Sequence, residues 1–194
     1  MANEVLVKTA GGPTVISFNV TGSYSPADAG TNWIADLAAD TNAALTLSAV
    51  ANAAGRQSAK VDLGATRAAA YVVYGAVDFT GETPTTGNTI DYYWAPSPSG
   101  TAGNSNVAGN SGSDAACPDG ALGSITLSEF VAQCQYIGSL VIHDGASVQN
   151  GLVGTFSPLS RYGQLVVVNS SGDAFEADNV EHCQVFVPMT VEIQ

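Results

Sequence analysis

The chain has 194 residues, 45% hydrophobic but only 11% charged, against roughly 25% charged in an ordinary soluble domain. Five Lys and Arg against seventeen Asp and Glu leave a net charge of −12, which repels phosphate backbones and removes the main drive for nucleic-acid binding. A chain of this size buries roughly 70% of its unfolded surface, enough for a single domain whose core needs no staple or metal. The three cysteines, Cys117, Cys134 and Cys183, are odd in number and widely spaced, which argues against a disulfide scaffold. No apolar run reaches the length of about 18 residues that spans a bilayer, and Met1-Ala2-Asn3-Glu4 lacks the basic start of a secretory signal. The expectation is a soluble chain made in a cytoplasm, with no membrane partner.

Short β-branched and aromatic runs separated by Gly, Asn, Asp and Ser read as an all-β fold. In chain order, Glu4 to Thr9 predicts a first strand. Thr14 to Val20 predicts a half-buried second, because Ile16, Phe18 and Val20 alternate with Ser17 and Asn19. Asn32 to Ala39 reads as a short helix, with Trp33 spaced to meet Leu37. Leu45 and Leu47 alternate with Thr46 and Ser48, and Ala59 to Leu63 predicts another strand. Tyr71 to Phe79 is apolar on both parities, as a strand covered on both faces requires, and Thr89 to Trp94 follows as a strand. Residues 95–123 break the pattern with a Gly, Ser and Asn-rich stretch that offers little to bury, so a long irregular loop is expected. Its alternative reading is an arm that orders against a neighbouring subunit.

Beyond that loop, Ser128 to Gln135 reads as a helix from the spacing of Leu127, Phe130, Val131 and Cys134. Strands are predicted at Tyr136 to His143, Val148 to Phe156 and Gln164 to Val168, the last also apolar on both parities. Cys183, Val185, Val187, Met189, Val191 and Ile193 predict a long final strand, at an edge or bulged near Pro188, which cannot donate a ladder hydrogen bond. Nine or ten strands suffice for a jelly-roll-like antiparallel β-sandwich. The whole of residues 1–194 is read as one domain.

Catalytic chemistry is thinly supplied. His143 and His182 are the only histidines, and if His182 begins the terminal strand, Cys183 points to the opposite face, so they are no nucleophile and base pair. Cys117, Cys134, Cys183, His143 and His182 lack zinc-ligand spacing. Asn169 to Asp173 and Asp178-Asn179 could offer oxygen to calcium, but these are turn formers first. No enzyme activity, cofactor or metal is expected. Asn19-Val20-Thr21 and Asn169-Ser170-Ser171 match a glycosylation pattern that means nothing without export. Tyr92-Tyr93-Trp94 are side chains that stack on sugars and also fill sheet interfaces, the second being the favoured reading. Arg161, the last Lys or Arg in the chain, is expected to answer a nearby carboxylate or an acidic neighbouring subunit.

Several segments resemble a group of small virion proteins of tailed bacteriophages. They are Ala54-Gly55-Arg56-Gln57-Ser58-Ala59-Lys60-Val61-Asp62, Ala70-Tyr71-Val72-Val73-Tyr74-Gly75 and Asp91-Tyr92-Tyr93-Trp94-Ala95-Pro96-Ser97. Further blocks are Tyr136 to Leu140, Val153 to Pro158 and Arg161 to Gly172, so the similarity spans residues 52 to 194. The resemblance implies a β-sandwich that sits on the capsid surface of the virion as a decoration or cement protein. It further implies a homotrimer clamping the major capsid protein, and no catalytic residues. Arg161, Tyr92, Tyr93, Trp94, Asn104, Asn106 and Asn110 are the interface candidates. A carbohydrate-binding or receptor-binding module of a head or tail fibre is the alternative, and an acid-dependent hydrolase ranks last.

Overall fold

Turn formers cut the β-prone runs into strands short enough for one sheet to curl over its own apolar face. The structure, a computed structural model, describes residues 14–20, 41–120, 124–145 and 147–189. Its strands are β1 (Ile16–Asn19), β2 (Thr41–Ala44), β3 (Gly55–Gln57), β4 (Val61–Asp62), β5 (Ala70–Val77), β6 (Thr89–Ser97), β7 (Ala115–Cys117), β8 (Gln135–Val141), β9 (Gln149–Phe156), β10 (Tyr162–Ser170) and β11 (Cys183–Met189). One short helix, α1 (Leu127–Val131), precedes β8. The predicted strand at Glu4 to Thr9, the predicted helix at Asn32 to Ala39 and the end of the terminal strand lie outside the described residues.

The sheet order is β2-β1-β11-β5-β9-β8-β6-β10-β3-β7, with β4 beside β10. The β1 and β2 pair is parallel and the other pairs are antiparallel. Three strands separate β6 from β11 in that order, yet the Trp94 ring of β6 lies 6.0 Å from Phe186 of β11. The sheet therefore folds over, and the fold is the expected all-β, jelly-roll-like sandwich. Phe186 also meets Phe18 at 4.7 Å and Phe156 at 5.1 Å, so four strands distant in sequence share one aromatic centre. A cross-sandwich hydrogen bond sits beside it, with the Tyr92 hydroxyl donating to Gln184 Oε1 at 2.9 Å. Gly75 leaves the space for that bond, since a Cβ there would meet both the Tyr92 and the Gln184 oxygens.

Several one-sided expectations change. All four β1 residues are buried, including Ser17 and Asn19, because the sheet is covered on its outer side here as well as its inner side. The same holds in β11, where Phe186 joins the central core while Cys183, Val185 and Val187 pack on the outer face with Val15, Ala76 and Val148. Pro188 has a register partner on β5, Tyr71, while the described β1 pairing runs only from Gln184 to Phe186. β11 itself lies between β1 and β5 in the sheet order. Leu45 and Leu47 are buried but follow the end of β2.

The helix expected over Ser128 to Gln135 is a single turn and a half. A capping box between Thr126 and Glu129 starts it, and it ends early because Gln135 is drawn into β8 opposite Trp94. Its Phe130, with Cys117, Ala95, Val166 and Val168, covers the outer face of β6 and β10.

Candidate binding face

Both outer flanks of the sheet are thus covered, one around Cys183 and Val185 and the other around Phe130 and Cys117. Between them the outward side chains of β8 and β9 stand open to solvent. Tyr136 is 56% exposed, Val141 53% and Leu152 59%. Ordinary strand alternation would put Tyr136 and Ser139 on opposite faces. A bulge overrides it: Tyr93 pairs with Tyr136 and Tyr92 with Gly138, leaving Ile137 as an extra residue that turns inward. A second bulge in β9 pairs Val73 with Gly154 and Tyr74 with Leu152, and Val153 turns inward there.

The two bulges meet where Gly138 lies opposite Gly154. A Cβ on either glycine would run into a carbonyl oxygen of the facing strand, that of Val153 or of Ile137. Close backbone approach at this crossing is what holds Tyr136 and Ser139 on one face.

That face is preorganised. The Tyr136 ring sits 5.3 Å from Tyr93 at an interplanar angle of 60°. Ser139 donates to Asp91 Oδ1 at 2.5 Å, so its bond with Tyr136 at 2.6 Å has the phenol as donor. Ser170 donates to the other Asp91 oxygen at 3.3 Å. Burial, the Asp91 charge and the neighbouring Tyr136 push the Tyr93 phenol above its ordinary pKa, so Tyr93 stays a neutral ring through the physiological range.

Of the residues expected to form an interface, Tyr93 alone of the aromatic triplet reaches this face. Tyr92 and Trp94 are fully buried, because consecutive strand residues alternate and three adjacent rings cannot share one side. Both leave the list of surface candidates. Arg161 answers a carboxylate of its own chain: Nε and Nη2 reach Asp62 Oδ1 and Oδ2 at 2.6 and 2.7 Å, and the guanidinium lies 5.0 Å over Tyr162.

Of the expected 95–123 loop, the described residues 95–120 are irregular but anchored. Ala95 to Ser97 belong to β6, and Ala115–Cys117 pair with β3. Lys60 Nζ donates to Ser97 Oγ and to the carbonyls of Ser99, Thr101 and Asn104 at 2.7 to 3.0 Å. Asn104 stays exposed and serves through its backbone. Asn106 donates to the Ala102 and Asn110 carbonyls. Asn110 is buried and donates to Gln57 Oε1, so it is a strut inside the chain and not a surface contact. Gln57 in turn donates to Ser113 O and Asp119 Oδ1 at 3.2 and 3.0 Å.

The other chemistry-bearing groups are dispersed. His182 Nδ1 accepts from the Asp78 backbone N–H at 3.2 Å, its Nε2 lies 3.0 Å from the Glu176 carbonyl, and Cys183 points away into the outer cluster. His143 is exposed beside Asp144. The three cysteines are free thiols, which burial pushes up to about 12 for Cys117 and Cys134 and about 11 for Cys183. Asn169 and Asp173 spend their oxygens on the N–H groups of Ser171 and Thr83, a turn and its anchor. Among the described residues no three His, Cys, Asp or Glu side chains gather as a metal site, and no helix is long and apolar enough to cross a membrane.

No protein-family model, curated protein or solved structure matches the chain. The open face between the covered flanks is therefore its own best witness to function.

Proposed function

We propose that the chain is a structural protein of a tailed-phage virion, a decoration or cement protein that docks on the outside of the major capsid protein shell as a homotrimer. The observation that carries this reading is the open strip of Tyr136, Val141 and Leu152 on a rigid sheet whose flanks are otherwise covered. A strip of exposed apolar and aromatic side chains on a chain of charge −12 is where a protein partner loses least desolvation energy on contact. The segments that resemble phage virion proteins support it, since they supply β3, β4, β5, β6, β8, β9 and β10, a nearly continuous part of the sheet.

Cosedimentation with capsids purified without this protein tests the reading. The wild-type chain is expected to pellet with them, and Leu152→Asp to stay in the supernatant with an unchanged circular dichroism spectrum. A wild-type chain that ignores such capsids overturns it.

The second reading, a carbohydrate-binding or receptor-binding module, is favoured by one observation, the locked and exposed Tyr136 ring against Tyr93. It places sugar stacking on those two rings in place of Tyr92 and Trp94. A glycan array on which wild type binds and Tyr136→Ala does not would select it. A blank array at millimolar glycan would remove it.

A further inference from the structure

The open face around Tyr136 has a fixed direction of proton donation. Ser139 has one hydroxyl proton and gives it to Asp91 Oδ1 at 2.5 Å, so at 2.6 Å it accepts the proton of Tyr136. The oxygen of the exposed Tyr136 is then left with lone pairs alone to offer a partner. It welcomes an N–H or O–H donor and repels another acceptor.

A carboxylate sits one hydroxyl behind that oxygen. Asp91 receives its other hydrogen bond from Ser170 at 3.3 Å, so both of these donors are neutral hydroxyls. Arg56 is paired with Asp114 and Arg161 with Asp62, so neither neutralises it. Asp91 and Tyr93 are two residues apart on β6 and share this face, and the Tyr93 ring lies 5.3 Å from that of Tyr136. A pair of electron-rich rings, an acceptor oxygen and a negative charge favour one kind of ligand, a cation that carries N–H donors.

We propose that this corner of the face seats an arginine of the protein partner, its guanidinium stacked on the Tyr93 and Tyr136 rings and donating to the Tyr136 oxygen. The inference rests on the reading of the chain as a docking protein and names the chemistry its open strip meets. Arginine fits better than lysine, because a flat guanidinium lays its face on a ring while its edge still donates, whereas an ammonium holds its water more tightly. Charge acts in the same direction, since a chain of −12 draws a basic patch toward it. Val141, further along β8 on the Ser139 side, and Leu152 of β9 supply exposed apolar surface beside the polar corner.

NMR of the full chain with labelled tyrosine, titrated with N-acetyl-arginine amide and with its neutral isostere N-acetyl-citrulline amide, tests this without capsids. The arginine probe is expected to shift the Tyr136 and Tyr93 ring signals and to bind roughly tenfold or more tighter than the citrulline probe. Tyr136→Phe, which keeps the ring, and Asp91→Asn, which removes the charge, should each weaken the arginine probe. Near-UV circular dichroism checks the fold of both variants, and if either is perturbed the wild-type comparison of the two probes decides. Equal binding of the two probes, or no response to either, overturns the proposal. So does tighter binding of N-acetyl-lysine amide or of a methyl glucoside. Capsid cosedimentation is read separately. A wild type that pellets with capsids while the arginine probe leaves both rings unmoved sinks only this inference, whereas a chain whose rings take the arginine probe but that ignores capsids sinks only the capsid reading.

Discussion

The aromatic centre around Phe186 and the polar loop from Ser97 to Gly120 are held by different forces. At the centre, side chains from β1, β5, β6, β9 and β11 meet ring to ring, and stability comes from apolar area withdrawn from water. The loop contributes little such area. Its order depends on a few side chains projecting from the sheet, Gln57, Lys60 and Arg56, which satisfy its carbonyls and carboxylates. An error at the centre should unfold the molecule, whereas an error in the loop should release only the loop.

The largest expected effect tests the centre. Phe186→Ala removes a fully buried ring and should cost about 3–5 kcal/mol, read as a lowered denaturant midpoint. A loss below about 1 kcal/mol would mean that the rings do not share a packed core.

Next comes the loop. Gln57→Ala leaves Asn110 and the Ser113 carbonyl without their buried partner, at about 1–3 kcal/mol. Amide exchange should accelerate most over 98–113, ahead of β5 and β10. Uniform acceleration through the sheet would show the two regions to be one cooperative unit.

A smaller effect is the pH dependence at His182, which ties the β5 end to the start of β11. Burial pushes its pKa down, against the Glu176 hydrogen bond and the charges of Asp78, Glu176 and Asp178. The fold therefore favours neutral imidazole. That contribution is complete above the unfolded value of about 6.5 and is lost as pH falls from there toward the lower folded value. Asp78 behaves later in the titration. Burial raises its pKa, but hydrogen bonds with Glu181 and Thr80 and the nearby His182 outweigh burial and hold it below the usual carboxylate range. Its share is lost only in more acid solution. His182→Gln should flatten melting temperature between pH 6.5 and 5, a range set by the histidine reference value, and an unflattened curve would assign the slope elsewhere.

The smallest change belongs to Arg161→Gln. The Asp62 pair is solvent-screened, so the melting temperature should stay within measurement scatter.

Residues 164–168 and 71–77 were legible as interior strands because apolar residues on both parities mean cover on both faces. Of the aromatic triplet, Tyr92 and Trp94 failed as surface candidates while Tyr93 did not, for a reason also present in the chain, since period two separates neighbours. The Tyr136 and Ser139 pairing was hidden, because a bulge shifts parity without changing composition. Its trace was the pair Gly138 and Gly154, whose meaning appears only when β8 and β9 cross.

By itself, the amino-acid order determined an all-β chain, its strands and turns, and its scarcity of cations and general bases, because alternation and turn chemistry act over a few residues. Tertiary structure decided that Asn110 is buried, that residues 97–120 are tied to Lys60 and Gln57, that Arg161 is spent on Asp62, and which rings face solvent. Each of those outcomes depends on groups tens of residues apart in sequence meeting within a few ångströms, a juxtaposition created by the curl of the sheet and absent from any local pattern.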